Sequence, residues 1–499
     1  MDCNGLSRPI FSLVPYACRV IIGRRRPYRR VQSFRGIGLA VFKEANMARK
    51  AEKERTKDGL KLKIVNPNAA GIDIAYGEMQ VCVPEDRDGE NNRCFGSFTC
   101  DYEEIASWLK ACGITTVAME STGSYWVGLY FFLEEKGFDV LLANAKDVKN
   151  VSGKKTDEAD AEWIMLMHSY GLLKPSFHPD AAAREIRELA RHRDNMLRSA
   201  GKEIQHMQKS LVLMNIKVDT VISDILGKSG KAIIEAILAG NHDPKSLAQL
   251  ADPRCKASKE TIEKSLEGTW ESVHLFELKQ SYDLYKYIHT QIADCEAEMD
   301  RMLSNYTDGC GTDMTGYKAT EKRVAKKNAI SFDAEKHAFS MWGVNAMEMP
   351  GMSLGGLSVL MGELGSGFVE KFPSAKSFCR WCNLVPNNKI SGGKLLSSKV
   401  PKQKNRVGQV FRSCANSVKG VKTGLGVYFR RQKSKGGHLQ AIVATANKMA
   451  RMFYTMVATK KPFDETKVGL DEKTLLQRKI SIAQRSLEKL NLRLSVAQG

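Results

Sequence analysis

An α/β sheet domain at the amino end, a helical middle and a mostly helical carboxyl domain are the fold class this sequence predicts. Three observations predict it. Short apolar runs alternate with amphipathic stretches between about residues 61 and 175. Helical periodicity dominates from about 180 to 305, and a second apolar block opens at Met349-Pro350-Gly351. A chain of 499 residues is also too long for one core, so several domains are expected.

Residues 1–60 are Arg-rich, with the cluster Arg24-Arg25-Arg26-Pro27-Tyr28-Arg29-Arg30, and read as a disordered basic leader. Such a composition can be mistaken for a transit peptide; the simpler expectation is that translation begins at Met47. From Lys61 the pattern changes. Gly71-Ile72-Asp73-Ile74 is a short apolar strand carrying one acid, followed by strands at 79–83 and 94–100, which together read as a meander. Helical spacing over 102–111 leads to an apolar strand at 115–119 that ends on Glu120. A helix through Trp126, Leu129, Phe132 and Leu133 follows, then a strand at 139–143, a basic loop containing Lys154 and Lys155, and a helix from Asp157. Three strands and then alternating helix and strand is the order of a ribonuclease H-like fold, expected over residues 61–175.

Asp157 and Asp160 are three residues apart, so a helix starting here puts both on one face, with Thr156 as its N-cap. Like charges this close call for a proton or a cation between them, and a divalent metal supplies one. For an isolated pair of acids, simple complementation of the helix macrodipole is the favoured reading. Asp73 and Glu120, each in an upstream strand, are what turn the reading toward a metal site.

In the helical region, 180–305, Arg184, Arg187, Arg191, Arg198 and Lys202 form one stripe, and Ile186, Leu189, Ile204, Met207 and Leu211 mark a separate apolar face. A charged stripe is usually a solvated face. Tyr285, Ile288, Ile292, Cys295, Met299 and Met302 follow a 3-4-3-4-3 rhythm, a heptad seam that predicts a coiled coil. Whether it closes within the chain or between subunits stays open. Residues 306–345 read as a polar linker or insertion.

The last domain is expected over 346–465. Proline, glycine and a small-residue helix start are shared with the helix-hairpin-helix element that meets DNA backbones, but Met352 and Ser353 replace its second half, so packing is expected there. Asn387 to Lys394 forms a polar turn around Ser391-Gly392-Gly393, backed by Lys399, Lys402, Lys404 and Arg406. On local evidence a serine in such a loop is a turn former. Residues 466–499 read as a charged tail with one weak amphipathic helix.

Lysine and arginine number 76 against 56 acids, a net charge of +20, which favours a polyanionic partner. No apolar run approaches the roughly 20 residues needed to span a bilayer, so nucleic acid is the reading and a membrane is not. The 12 cysteines have no framework spacing, as in a reduced cytosolic protein. Cys379-Arg380-Trp381-Cys382 is the one CxxC, with no second pair, and packing is expected of it over zinc.

With these acids in place, the chain resembles the Piv-like family of DEDD transposases and DNA invertases of bacterial insertion sequences, which are bridge-RNA-guided serine recombinases. The resemblance runs from about Asn66 to Pro462. It rests on Gly71-Ile72-Asp73, Met119-Glu120-Ser121-Thr122-Gly123-Ser124-Tyr125-Trp126, Lys155-Thr156-Asp157-Glu158-Ala159-Asp160-Ala161, Pro350-Gly351, Phe372-Pro373-Ser374, Leu384-Val385-Pro386 and Ser391-Gly392-Gly393. It implies a RuvC-like domain joined by a coiled coil to a transposase domain. It implies that Asp73, Glu120, Asp157 and Asp160 hold Mg²⁺ and that Ser391 attacks the scissile phosphate. The partners implied are DNA, a guide RNA and further copies of the chain, as a dimer or tetramer, in the cytoplasm at the bacterial nucleoid. Lys154, Lys155, Arg184, Arg187, Arg191, Lys394, Lys404 and Arg406 are the expected phosphate contacts. Two other readings stay open: a RuvC-type junction nuclease in which Ser391 is only a turn residue, and an inactive nucleic-acid-binding relic.

Overall fold

The computed structural model describes residues 63–120, 123–143, 157–320, 328–402 and 405–469, with 476–477, 480–488 and 490–491 beyond them. The basic leader, the loop holding Lys154 and Lys155, and Lys404 lie outside the described residues. The chain forms two compact units, one up to Ser176 and one from Phe177.

In the first unit five strands make one mixed sheet: β1 (Ala69–Ile74), β2 (Glu78–Cys82), β3 (Asn92–Gly96), β4 (Thr116–Glu120) and β5 (Asp139–Ala143), in the order β3-β2-β1-β4-β5. β1 to β3 are an antiparallel meander, while β4 runs parallel to β1 and β5 parallel to β4. The third strand stops earlier than the sequence suggests. The Asp101 carboxylate accepts the Phe98 N–H at 2.7 Å, and this local bond starts helix α1 (Thr99–Ala111). Parallel strands need crossovers, and α1 and α2 (Trp126–Glu135) supply them on one face. There Ile105, Leu109, Leu129 and Leu133 pack on Ile72, Val117 and Met119. α3 (Asp157–Ser169) covers the opposite face, with Ile164 against Ala118 and Ala143. Gly71 makes that fit: a Cβ there would stand 2.8 Å from Met165 Cα and closer still to Met165 N and Ala161 O.

The second unit is mostly helical. α4 (Ala181–Leu213) starts where Asp180 accepts the Ala183 N–H at 2.9 Å. Shorter helices, among them α5 (Lys228–Leu238), α6 (Pro244–Gln249) and α7 (Lys259–Ser265), separate it from α8 (Ser272–Asp308). Ile186 and Ala190 share a core cluster with Cys295, Met299 and Leu303. At the other end Met207 and Leu211 share one with Leu278, Tyr282 and Tyr285. The heptad seam of α8 therefore closes within the chain, as an antiparallel pair of long helices. α4 covers these side chains within the chain.

Buried between the two helices, Arg193 meets Glu296 at 2.5 Å and donates to the Asn328 carbonyl at 3.1 Å, while Glu296 accepts the Ser331 N–H at 2.9 Å. These bonds tie down residues 328–331. Of the polar stretch expected as a linker or insertion, the part from 328 onward folds into the core: Ile330, Phe332, Met341 and Trp342 are buried, the last two on α9 (Ala334–Trp342). Trp342 donates its indole N–H to Gly365 O at 2.9 Å. Around it pack α10 (Leu354–Leu364), α11 (Ala375–Trp381), α12 (Arg406–Ser417) and α13 (Gly424–Thr459), the last broken at Gly436-Gly437. Phe368, Phe378, Phe411 and Phe453 fill the centre. Cys379 and Cys382 are buried in this core. Burial pushes the Cys379 thiol up to about 12 and raises Cys382 well above its usual value. Their environment is that of packed thiols, not of thiolate ligands. No helix among the described residues is long and apolar enough to cross a membrane.

Candidate active site

Strand alternation sorts the residues of β1 and β4 between two faces. Ala70, Ile72 and Ile74 enter the core under α1 and α2, as do Val117 and Met119. Gly71 and Asp73 take the other face, and so do Ala118 and Glu120. Ile72 is paired with Met119 in the parallel register, which sets Asp73 level with Glu120, one residue further on. Both stand at the carboxyl ends of central parallel strands, where open α/β sheets hold their ligands. Asp73 is half-buried and Glu120 is 8% exposed.

α3 is oriented by its contacts. Val65 and Asn66 donate their N–H groups to Ser169 O at 2.8 and 2.9 Å, at the helix C-terminus, and Gly71 abuts Ala161 and Met165 in its middle. The helix thus runs antiparallel to β1, so its first turn lies toward Asp73. Asn92 strengthens that placement by donating to Glu158 O at 3.0 Å. Thr116 Oγ1 lies 2.8 Å from His168 Nε2 at the opposite end. Burial lowers the His168 pKa, against an opposing pull from Asp139. Asp160 is half-buried within the first turn, and Asp157 opens the helix, its side chain outside the described residues.

The donors are all carboxylates, the hard oxygen set that Mg²⁺ prefers. Among the described residues, however, no group of three or more acids, histidines or cysteines stands close enough together to hold an ion. Asp73, Glu120 and Asp160 alone are therefore not a finished cage. The sequence places the fourth acid, Asp157, one helical turn before Ala161, at the end of α3 nearest the strand acids.

In the second unit, Ser391 ends strand β6 (Asn387–Ser391) and pairs with Lys394 at the start of β7 (Lys394–Lys399). Gly392 and Gly393 have φ of 53° and 73°, the two left-handed positions that a tight hairpin turn requires. A serine in a polar turn is thus the last residue of a strand, at the tip of a hairpin whose residues are nearly all exposed.

The arginine stripe is differently disposed. Arg191 forks onto Glu363 at 2.9 and 3.0 Å, and Arg406 meets Asp194 at 2.8 Å. Arg187 is half-buried, with its backbone against Gly362 of α10, and Arg184 is half-buried too. Lys394 is exposed beside Ser391. Arg406 also lines a polar cleft of about 810 Å³ with Arg198, Gly351, Ser353 and Ser417. Sequence reasoning gave no role to Tyr76 and Tyr125, whose rings meet at 5.6 Å on the loops that leave β1 and β4. Their position directly after two acid-bearing strands was the available signal.

A DEDD transposase family model of the IS110 type, described as a transposase, matches residues 70–216, and one described as the Transposase IS116/IS110/IS902 family matches residues 344–422. Together these matches support an IS110-family DEDD transposase, an enzyme that cuts and rejoins DNA and therefore binds it. No curated protein matches it.

Proposed function

We propose that this transposase is a Mg²⁺-dependent site-specific recombinase with a ribonuclease H-like (RuvC-like) first domain. In this reading it cuts and rejoins DNA through a phosphoserine link at Ser391, directed by a guide RNA encoded with its mobile element. The observation that carries the reading is the register that sets Asp73 level with Glu120, with the first turn of α3 turned toward them. Asp73, Glu120, Asp157 and Asp160 are the metal ligands in this reading. Mg²⁺ bound there supplies polarisation of a phosphoryl oxygen and a lowered pKa for the attacking hydroxyl.

The chain's own residues do the rest. Ser391 Oγ forms a bond to phosphorus as the bond from phosphorus to one deoxyribose oxygen breaks, and the proton leaves with that oxygen. The reverse attack by a sugar hydroxyl on the phosphoserine rejoins DNA and frees the serine. Bond number is conserved, so no nucleotide hydrolysis is required. Lys394, paired with Ser391 in the hairpin, offers its ammonium to the same phosphate. Lys154, Lys155, Arg184, Arg187, Lys404 and the parts of Arg191 and Arg406 left over by their carboxylates hold phosphates along the path, while base pairing to the guide selects sequence. The working assembly is a homo-oligomer, a dimer or tetramer, acting at the bacterial nucleoid.

The test is a recombination assay on paired target and donor DNA with guide RNA, comparing Ser391→Ala with Asp157→Ala. Loss in both, with a covalent protein–DNA adduct seen only when Ser391 is present, is the expected result. Strand cleavage that survives Ser391→Ala means a junction nuclease that activates water. Salt-sensitive binding without cleavage at any Mg²⁺ concentration means an inactive relic.

A further inference from the structure

Tyr76 and Tyr125 are exposed aromatic rings that the metal and serine chemistry does not use. Tyr76 is 82% exposed and Tyr125 46%, yet they touch edge to face with centroids 5.6 Å apart and planes at 69°. Tyr76 sits in the tight connection between β1 and β2, closed by the Ala75 N–H to Glu78 O bond at 3.0 Å, three residues beyond Asp73. Tyr125 follows Glu120 by five residues. The two rings therefore rise from the same edge of the sheet as the two acids.

Trp126, next in sequence, opens α2 with its side chain in the core, and its indole N–H donates to Gly123 O at 3.2 Å. Gly123 has φ of 59°, and the position a Cβ would take lies 3.4 Å from the Tyr125 ring. A side chain there would strain the left-handed backbone. An edge-to-face pair uses one ring's edge and leaves flat apolar surface open on both. Two aromatic faces held in water beside an acid site, in an enzyme that handles DNA, suit one ligand class: an unpaired nucleobase. Stacking accepts any base, because every base has a π-face.

We propose that Tyr76 and Tyr125 form a base-stacking platform that holds an unpaired nucleotide of the DNA strand next to the phosphate over Asp73 and Glu120. This rests on the proposed placement of the scissile strand at those acids, although the stacking itself needs neither metal nor cleavage. Both tyrosines are positioning residues in this scheme.

The experiment uses the full chain in EDTA, so that no cutting occurs, with a single-stranded oligodeoxynucleotide carrying 2-aminopurine as a stacking reporter. Tyr76→Ala and Tyr125→Ala should each weaken binding by about tenfold and restore the quenched fluorescence. Tyr76→Phe and Tyr125→Phe should keep both signals, and the slope of affinity against salt should stay that of the parent, since no phosphate contact is removed. Binding to a fully paired duplex should not change. Parental affinity in the alanine variants overturns the platform, as does equal loss in the phenylalanine variants or equal loss on duplex. Circular dichroism and melting of each variant show whether it is folded. Because binding is read without turnover, failure of the serine mechanism leaves this outcome legible, and failure of the platform leaves the acid site untouched.

Discussion

Gly71→Ala puts the architecture of the acid site under direct strain. The added methyl would come within 2.8 Å of Met165 Cα and nearer still to Met165 N and Ala161 O, all of it helix backbone that cannot rotate aside. Carbon atoms rest about 3.5–4.0 Å apart, so α3 must retreat from β1 by roughly 1 Å. Overpacking of this sort costs about 1–3 kcal/mol. The retreat also carries Asp157 and Asp160 away from Asp73 and Glu120, and a misplacement of about 1 Å costs on the order of 100-fold in rate. Two assays follow: urea unfolding, and metal-dependent cleavage of element-end DNA. Gly89→Ala is the control, since nothing stands within 4 Å of its added methyl. The reasoning fails if Gly71→Ala unfolds within about 0.5 kcal/mol of the parent and cleaves at the parental rate, because the helix would then not be held where the acids need it.

Thiol labelling separates the cysteines by environment. Cys94 and Cys100 are exposed and should react first with a thiol reagent. Cys379, Cys382 and Cys414 should react only on unfolding, since burial pushes Cys379 and Cys414 up to about 12 and Cys382 well above its usual value. Chelators such as EDTA should not speed that labelling; if they did, a zinc site at Cys379 and Cys382 would have to replace the packing role. A pH dependence is expected from His178. Burial, with Arg187, Lys371 and Arg184 beside it, lowers its pKa from 6.5 to about 4. The unfolded chain takes up this proton first as pH falls, so stability is lost between about pH 6.5 and 4, by up to roughly 3 kcal/mol. His178→Gln removes that step, and the parent's advantage over this variant should shrink across the window. A difference between the two that is independent of pH would refute the assignment.

Local patterns alone named much of what matters. Asp73 sits in an apolar strand, Glu120 ends another, and Asp157 and Asp160 open a helix; strand and helix periods are short-range properties that a sequence states directly. The same holds for the glycine pair after Ser391, whose left-handed backbone is written into the residue type. Three things needed the folded chain. The first is register: which residue of β4 lies beside Asp73 depends on pairing across 47 positions, and a slip of one would turn every side chain over. The second is the partner of the α8 seam, because a heptad says that a helix needs covering and not by what, and α4 covers it from the same chain. The third is the fate of polar and charged side chains. Arg191 and Arg406 read as a basic surface, but carboxylates distant in sequence, Glu363 and Asp194, claim them. Charge has no period to give its partner away, so only tertiary packing decides whether an arginine faces phosphate or protein.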